Sequence, residues 1–269
     1  MPELPEVEAY RRLAEGALHR PVATVAVSDP RFVRGTTTAR RLTRVLVGAS
    51  FAAARRTGKL LVLDLDGSTV DGGHRLGIRF GMTGRLVVDG RAGVDRLVYS
   101  GDYSADGSAA RWDRFALGFT DGGSLVVHDP RLLGGVILDP DESALGPDAL
   151  GVTLAQLRDA LAGSAAPLKA RLMDQGRLAG VGNLIADEVL WRASLAPHRR
   201  AGSLSPAELR RLHRHLRVTL DELSARGGSH LGDLMPARRR GGRCRRDGAA
   251  LVRSTVGGRT SWWCPRHQT

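Results

Sequence analysis

The chain has 269 residues, of which 42% are hydrophobic and 25% charged. That is apolar material for one large domain or two modest ones, and it argues against wholesale disorder. No run of about 18 apolar residues occurs, so no membrane-spanning helix is expected. Acids at Glu3, Glu6 and Glu8 stand where a secretory leader needs bases, so a cytoplasmic location is expected. Forty basic residues against 28 acidic give a net charge of +12, a field that favours nucleic acid or an anionic membrane face. Two cysteines cannot build a disulfide scaffold. Only two of the basic residues, Lys59 and Lys169, are lysines.

In chain order, residues 5–18 read as a helix. Pro5 suits the first helical position, Glu6 and Glu8 suit the first turn, and Leu13, Ala14, Ala17 and Leu18 make one apolar face. From 22 to 136 the pattern turns to short apolar or alternating runs separated by Gly- and Asp-rich turns, which predicts an antiparallel sandwich or barrel. The stretch 89–110 reads as a loose insertion, although RLVYSGDY within it has strand character. Residues 139–152 are a linker by composition.

Beyond the linker the chain is helical. Thr153 and Gln156 form a capping-box pattern opening a helix over 154–162. Helices are also predicted over 167–174 and 184–193. Asn183 before the latter reads as a cap, and Val181-Gly182-Asn183 as a site where backbone N–H groups meet an anion. Ser205-Pro206-Ala207-Glu208 starts a helix that runs to about Ala225 and stops at Gly227-Gly228. His213 and His215 on that helix are assigned no role. The predicted fold is α+β: a β-sandwich or barrel-like domain with a leading helix over 1–138, the linker, a helical domain over 153–235, and a β-hairpin over 236–269.

Three features carry chemistry. Removal of Met1 is expected before the small Pro2, leaving a secondary amine. An α-amino group titrates near 7.7–8.0 against about 10.4 for lysine, so roughly a third is neutral at pH 7.5. A neutral amine attacks an aldehyde-level carbon to form an iminium. Glu3 lies beside the amine as a proton donor, and Glu6 follows at the top of the helix. Met82, flanked by Gly81 and Gly84, is harder to bury than an ordinary core methionine. Cys244-x-x-Asp247 and Cys264-x-x-His267, sixteen residues apart, have the two-pair spacing of a metal-binding hairpin. The alternative is a metal-free hairpin held by Trp262, Trp263 and Leu251.

PELPEVE at the start resembles the formamidopyrimidine-DNA glycosylase / endonuclease VIII family, bifunctional enzymes that excise oxidised bases and nick the DNA. RTGKLLVLDL, RFGMTGRL, HDPRLLGG and LKARLMDQGRLAGVGNLIADEVLWRASLAPHR follow in that family's order. The resemblance implies a helix–two-turn–helix domain and a zinc-finger hairpin holding one structural zinc ion through Cys244, Asp247, Cys264 and His267. It implies Pro2 as nucleophile at the sugar C1′, Glu3 as the acid that opens the sugar, Glu6 holding the opened sugar or base, and Lys59 on a strand near the phosphates. Met82 would fill the gap left by an extruded base, with Arg131 on the widowed base and Leu133 beside it. Lys169, Asn183 and Arg259 would contact DNA. Duplex DNA carrying oxidised bases or abasic sites is the implied partner, and the implied state is a monomer.

The chain departs from the family at four places. Leu133 stands where phenylalanine is usual. Asp247 and His267 replace two of the usual four cysteines. The connection from Gly227 to Arg243 looks too short for the loop that covers a flipped 8-oxoguanine. A catalytically silent damaged-DNA-binding protein of the same fold is the alternative. An RNA-binding role is poorly served by only 4% aromatic residues.

Overall fold

The computed structural model describes residues 2–66, 73–93 and 108–269. Most of the predicted insertion, and the strand over 96–103 within it, lie outside the described residues. The chain packs as two units. One is Glu6–Glu142 together with Pro2; the other is Ser143–Thr269 together with Glu3–Pro5.

The first unit is an antiparallel β-sandwich. One sheet takes β1 (Val22–Val27), β7 (Asp113–Phe119), β8 (Ser124–His128), β5 (Arg85–Val88) and β6 (Arg91–Ala92) in that order. The other takes β2 (Phe51–Thr57), β3 (Leu60–Leu65), β4 (Arg75–Arg79) and β9 (Gly135–Leu138). Alternation decides which face is inward. Phe115, Leu117 and Phe119 of β7, Leu125 and Val127 of β8, and Leu86 and Val88 of β5 share one core with Leu61, Leu63, Leu76, Ile78 and Val136 of the second sheet. Helix α1 (Leu4–Ala14) adds Val7, Tyr10 and Ala14 to it, and a tight turn over Glu15–Ala17 ends the helix earlier than predicted.

Residues 39–46 were expected within the strand region and are instead helix α2 (Ala39–Leu46). Thr38 caps it by accepting from the Arg41 N–H, and Leu42 and Leu46, one turn apart, enter the core.

In the second unit, α3 (Leu154–Leu161), α4 (Leu168–Leu172), α5 (Asn183–Arg192) and α6 (Pro206–Arg226) bury a leucine-rich core. The predicted capping boxes are present at Thr153 and Ser205, and Gly227 closes α6 with a left-handed φ of 100°. Strands β10 (Val252–Val256) and β11 (Arg259–Trp263) form the hairpin, joined by a Gly257-Gly258 turn. The connection from α6 to the hairpin is pinned to α5: the Asp233 and Leu234 N–H groups donate to Glu188 at 3.1 and 2.9 Å, and Glu188 also accepts from Arg192.

Candidate functional site

Pro2, Glu3 and Glu6 are all buried, Glu3 at 1% exposure and Glu6 at 2%. Glu3 Oε1 accepts from the Leu184 N–H at 2.8 Å and Oε2 from the Ile185 N–H at 3.1 Å. These are orphan amides in the first turn of α5, whose cap residue Gly182 supplies no side chain. A carboxylate from the chain start therefore does the capping, favoured by the positive end of the helix. The fit is close: a Cβ on Gly182 would lie 2.1 Å from the Glu3 carboxyl carbon. This corrects two sequence expectations. Asn183 is the first helical residue and not the cap, with its Oδ1 buried and unbonded. The 184 and 185 amides that looked open to a phosphate are filled by Glu3.

Lys59 lies in the two-residue Gly58-Lys59 turn between β2 and β3, one position short of the strand on which the resemblance placed it, and is half-buried. Arg56 steadies that turn, donating to the Gly58 carbonyl at 2.8 Å and to Glu8 at 3.1 Å. Burial pushes the Glu8 carboxyl up, but hydrogen bonds from Arg11 and Arg56 outweigh it and hold the group below its ordinary range. Glu8, a helix-start acid by sequence, also links α1 to the lysine turn.

The Met82 and Arg131 segments are joined from beneath by Asp129, which is fully buried. Its carboxylate accepts from the Thr83 hydroxyl at 2.6 Å and from the Arg131 and Gly134 N–H groups at 3.2 and 2.7 Å. A Cβ on Gly81 would meet the Leu133 carbonyl carbon at 2.4 Å, so glycine is required for the two loops to touch. Leu132 takes a positive φ of 56°. Arg131 and Leu133 are exposed, Leu133 at 47%, and Met82 is half-buried. Sequence reasoning missed Asp129, although a buried acid between a His and a Pro, just ahead of a Gly-Gly pair, is a loop-clamp signal.

Lys169 does not face solvent. It is fully buried, with Nζ 2.7 Å from Asp187 and donating to the Thr260 carbonyl and Ser261 hydroxyl. Burial pushes its ammonium below the ordinary lysine range, opposed by Asp187. Asp187 also accepts from Arg238, the Ser261 hydroxyl and the Trp262 N–H. The expected DNA contact at Lys169 is thus replaced by a rivet joining α4, α5 and the hairpin. Lys169→Met is expected to cost about 3 kcal/mol of stability, because Asp187 loses a partner in a dry site. Denaturant midpoints check this; a variant of unchanged stability with weaker DNA binding would instead mark a phosphate contact.

Arg259 starts β11 opposite Val256, is exposed, and its guanidinium has no hydrogen bond to any described residue. At the hairpin base, one donor atom each from Cys244, Asp247, Cys264 and His267 lie within 4.8 Å of one another. Cys244 Sγ is 3.6 Å from His267 Nδ1, Cys264 Sγ is 3.3 Å from Asp247 Oδ2, and that oxygen is 3.2 Å from His267 Nδ1. The Ala249 N–H holds Asp247 Oδ1, which leaves Oδ2 for the cluster and keeps this carboxyl well below its usual range. His267 Nε2 lies 3.2 Å from the Trp191 carbonyl, and Trp191 Nε1 donates to Cys244 Sγ at 3.4 Å. Trp191, Leu251 and both cysteines share a small apolar cluster, and Trp263 packs edge-on against His198.

Comparison with known proteins agrees with this geometry. Residues 1–136 match the formamidopyrimidine-DNA glycosylase N-terminal domain and residues 145–233 the H2TH domain of the same enzyme. A formamidopyrimidine-DNA glycosylase of Cereibacter sphaeroides is 38% identical over 251 residues, covering 88% of this chain and 83% of the relative. Its counterpart in Ruegeria pomeroyi is 34% identical over the whole of both chains. The fold is also that of Lactococcus lactis Fpg, solved with an abasic-site-containing DNA, at a TM-score of 0.80 and 24% identity with 99% of each chain covered. A second structure of that protein, bound to N7-benzyl-Fapy-dG DNA, also gives a TM-score of 0.80. The chain belongs to the formamidopyrimidine-DNA glycosylase family.

Proposed function

We propose that the protein is a base-excision DNA glycosylase with AP lyase activity, acting on oxidised bases and abasic sites in duplex DNA. The observation that carries the reading is Glu3, held by two backbone amides of α5 next in the chain to the amine at Pro2. With Met1 removed, the Pro2 nitrogen attacks C1′ of the damaged nucleotide and the base leaves. Glu3 serves the opening of the sugar ring, and the product is an iminium between Pro2 and the sugar. Loss of a C2′ proton then expels the 3′ phosphate, so the strand is nicked by β-elimination, or by β,δ-elimination where the 5′ phosphate is expelled as well. Glu6 holds the opened sugar or base. Lys59, Asn183 and Arg259 hold phosphates. Met82, Arg131 and Leu133 occupy the space the nucleotide vacates, offsetting an unstacking cost of a few kcal/mol.

The residues at the hairpin base fit zinc. Bonds of about 2.0–2.3 Å in a tetrahedral shell put ligand atoms roughly 3.3–3.8 Å apart. The three separations of 3.2, 3.3 and 3.6 Å lie at or close to that range. The Trp191 carbonyl favours the His267 tautomer with a proton on Nε2, which leaves Nδ1 bare toward the cluster, as a ligand requires. A zinc ion here ties the hairpin down and takes no part in the chemistry. The working place is the cytoplasm, and the working form a monomer.

Borohydride trapping tests the reading. The mature protein, its Pro2 terminus confirmed, is incubated with a duplex holding one abasic site, beside a Pro2→Gly variant. A covalent complex strongly reduced in the variant is expected. No complex with the parent protein would leave the silent damage-binding alternative in its place.

A further inference from the structure

The first unit has an open surface pocket of about 520 Å³ at the Arg131 loop, lined by Asp29, Arg31, Arg34, Arg114, Pro130, Arg131 and Leu132. Four guanidinium groups therefore meet one carboxylate. Asp29 is committed to Arg31, which it binds through both oxygens at 2.6 and 3.0 Å. That pair holds the Asp29 carboxyl at about 2, and Arg31 leaves no net charge. Three positive charges stay uncompensated among the lining residues.

Two of the three are fixed in place. Arg34 donates through Nε and Nη2 to the Gly134 carbonyl, at 3.0 and 2.7 Å, and through Nη2 to the Leu132 carbonyl at 3.2 Å. Arg114 donates through Nε to the Asp129 carbonyl at 2.8 Å and through Nη2 to the Pro130 carbonyl at 3.4 Å. Its guanidinium also lies 5.2 Å from the centre of the Trp112 ring. Backbone carbonyls orient a guanidinium without cancelling its charge. Each of these arginines spends one edge on the loop and keeps its Nη1 free of any hydrogen bond to a described residue. Arg131 joins them from the loop itself. Preoriented planar forks with unspent charge are what bidentate phosphate binding needs.

We propose that Arg34 and Arg114, together with Arg131, form a seat for a backbone phosphate of duplex DNA, on the strand opposite the damaged nucleotide. This rests on the proposed function, in which Arg131 reads the widowed base. The seat ties that strand to the same loop that carries the wedge, so phosphate binding and wedge insertion reinforce each other.

The test uses the full chain and abasic duplexes with a neutral methylphosphonate placed at one phosphate after another of the opposite strand. One position is expected to weaken binding by the parent protein about tenfold, the size of a charge-assisted contact. Arg34→Gln and Arg114→Gln should weaken binding to the native duplex similarly and add little at that one position. They should also lower the slope of log affinity against log salt by about one, whereas Arg34→Lys and Arg114→Lys keep the slope. Equal loss in Gln and Lys variants with an unchanged slope would overturn the seat, leaving only a loop clamp. No sensitive phosphate for the parent protein would overturn it without reference to any variant. A stabilising shift with millimolar inorganic phosphate alone would make the pocket a free-anion site and also overturn it. Borohydride trapping of the parent protein on the same duplexes reports separately on Pro2 chemistry.

Discussion

Glu3→Gln is expected to abolish base excision while leaving nicking at a preformed abasic site largely in place. Loss of a proton-transfer group costs about 10²–10⁴-fold. In the proposed chemistry only the first stage, in which the intact nucleoside must be opened and its base released, draws on that group. An abasic sugar already presents an aldehyde-level carbon to the amine. The geometry makes the substitution informative. Both Glu3 oxygens accept from the α5 amides, at 2.8 and 3.1 Å. Glutamine offers one oxygen and sets an NH2 against the other N–H, leaving a buried donor unpaired at about 1–3 kcal/mol. Gly182 backs the carboxyl with no room even for a Cβ. A destabilised but folded protein with selective loss of excision is the expected result. Single-turnover rates on an oxidised-base duplex and an abasic duplex, with a thermal melt of the same sample, separate the effects. An equal fall in both rates would assign Glu3 to seating the chain start. An unchanged excision rate would remove it from the chemistry.

The sequence exposed what local rules govern. Thr153 with Gln156 and Ser205 with Glu208 are reciprocal capping pairs within one turn, so nothing distant could override them, and both are present. The alternation in β7 and β8 was visible for the same reason. What stayed hidden depends on partners far along the chain. Asn183 looks like a cap because no sequence rule says that a carboxylate from residue 3 will occupy that helix end. Lys169 looks like a phosphate contact because a rare lysine in a basic chain is read as exposed; its partner Asp187 and the hairpin atoms that enclose it are 18 and more than 90 residues away. Asp129 was passed over because its neighbours Arg131 and Leu133 attract the functional reading, although its carboxylate holds both loops. Helix α2 is hard to read because four of its eight residues are polar and only Leu42 and Leu46 are fully buried. The four metal-ligand types were legible from spacing alone, since a two-strand hairpin brings its two ends together.

Stripping zinc from the hairpin is expected to unfold it locally and to remove most DNA affinity. The buried apolar cluster there is Trp191, Leu234, Ala237, Leu251 and the two cysteines, with Ala249 and Trp262 packed against it, too little to fold a β-hairpin alone. Structural zinc supplies about 10–16 kcal/mol in apparent binding energy to small finger peptides. Two thiolates with an imidazole and a carboxylate should fall below that, yet still exceed what the cluster supplies by burial. Arg259 sits at the start of β11, so its position is lost with the hairpin. The Lys169–Asp187 rivet also reaches into β11 through Thr260 and Ser261, which limits the damage to the α-helical core. Loss of near-ultraviolet dichroism from Trp191, Trp262 and Trp263 on chelation, with helical signal retained, is the expected pattern. Asp247 decides whether the fourth ligand is real. Asp247→Ala should weaken zinc by more than the roughly 10–100-fold that loss of an outer-shell partner costs. Asp247→Cys should restore binding or strengthen it, because thiolate suits this ion better than carboxylate oxygen in a closed structural site. Zinc stoichiometry by elemental analysis and competition with a chromophoric chelator measure both. Full zinc retention in Asp247→Ala would make the site three-liganded, with Asp247 serving only to orient His267 across its 3.2 Å contact.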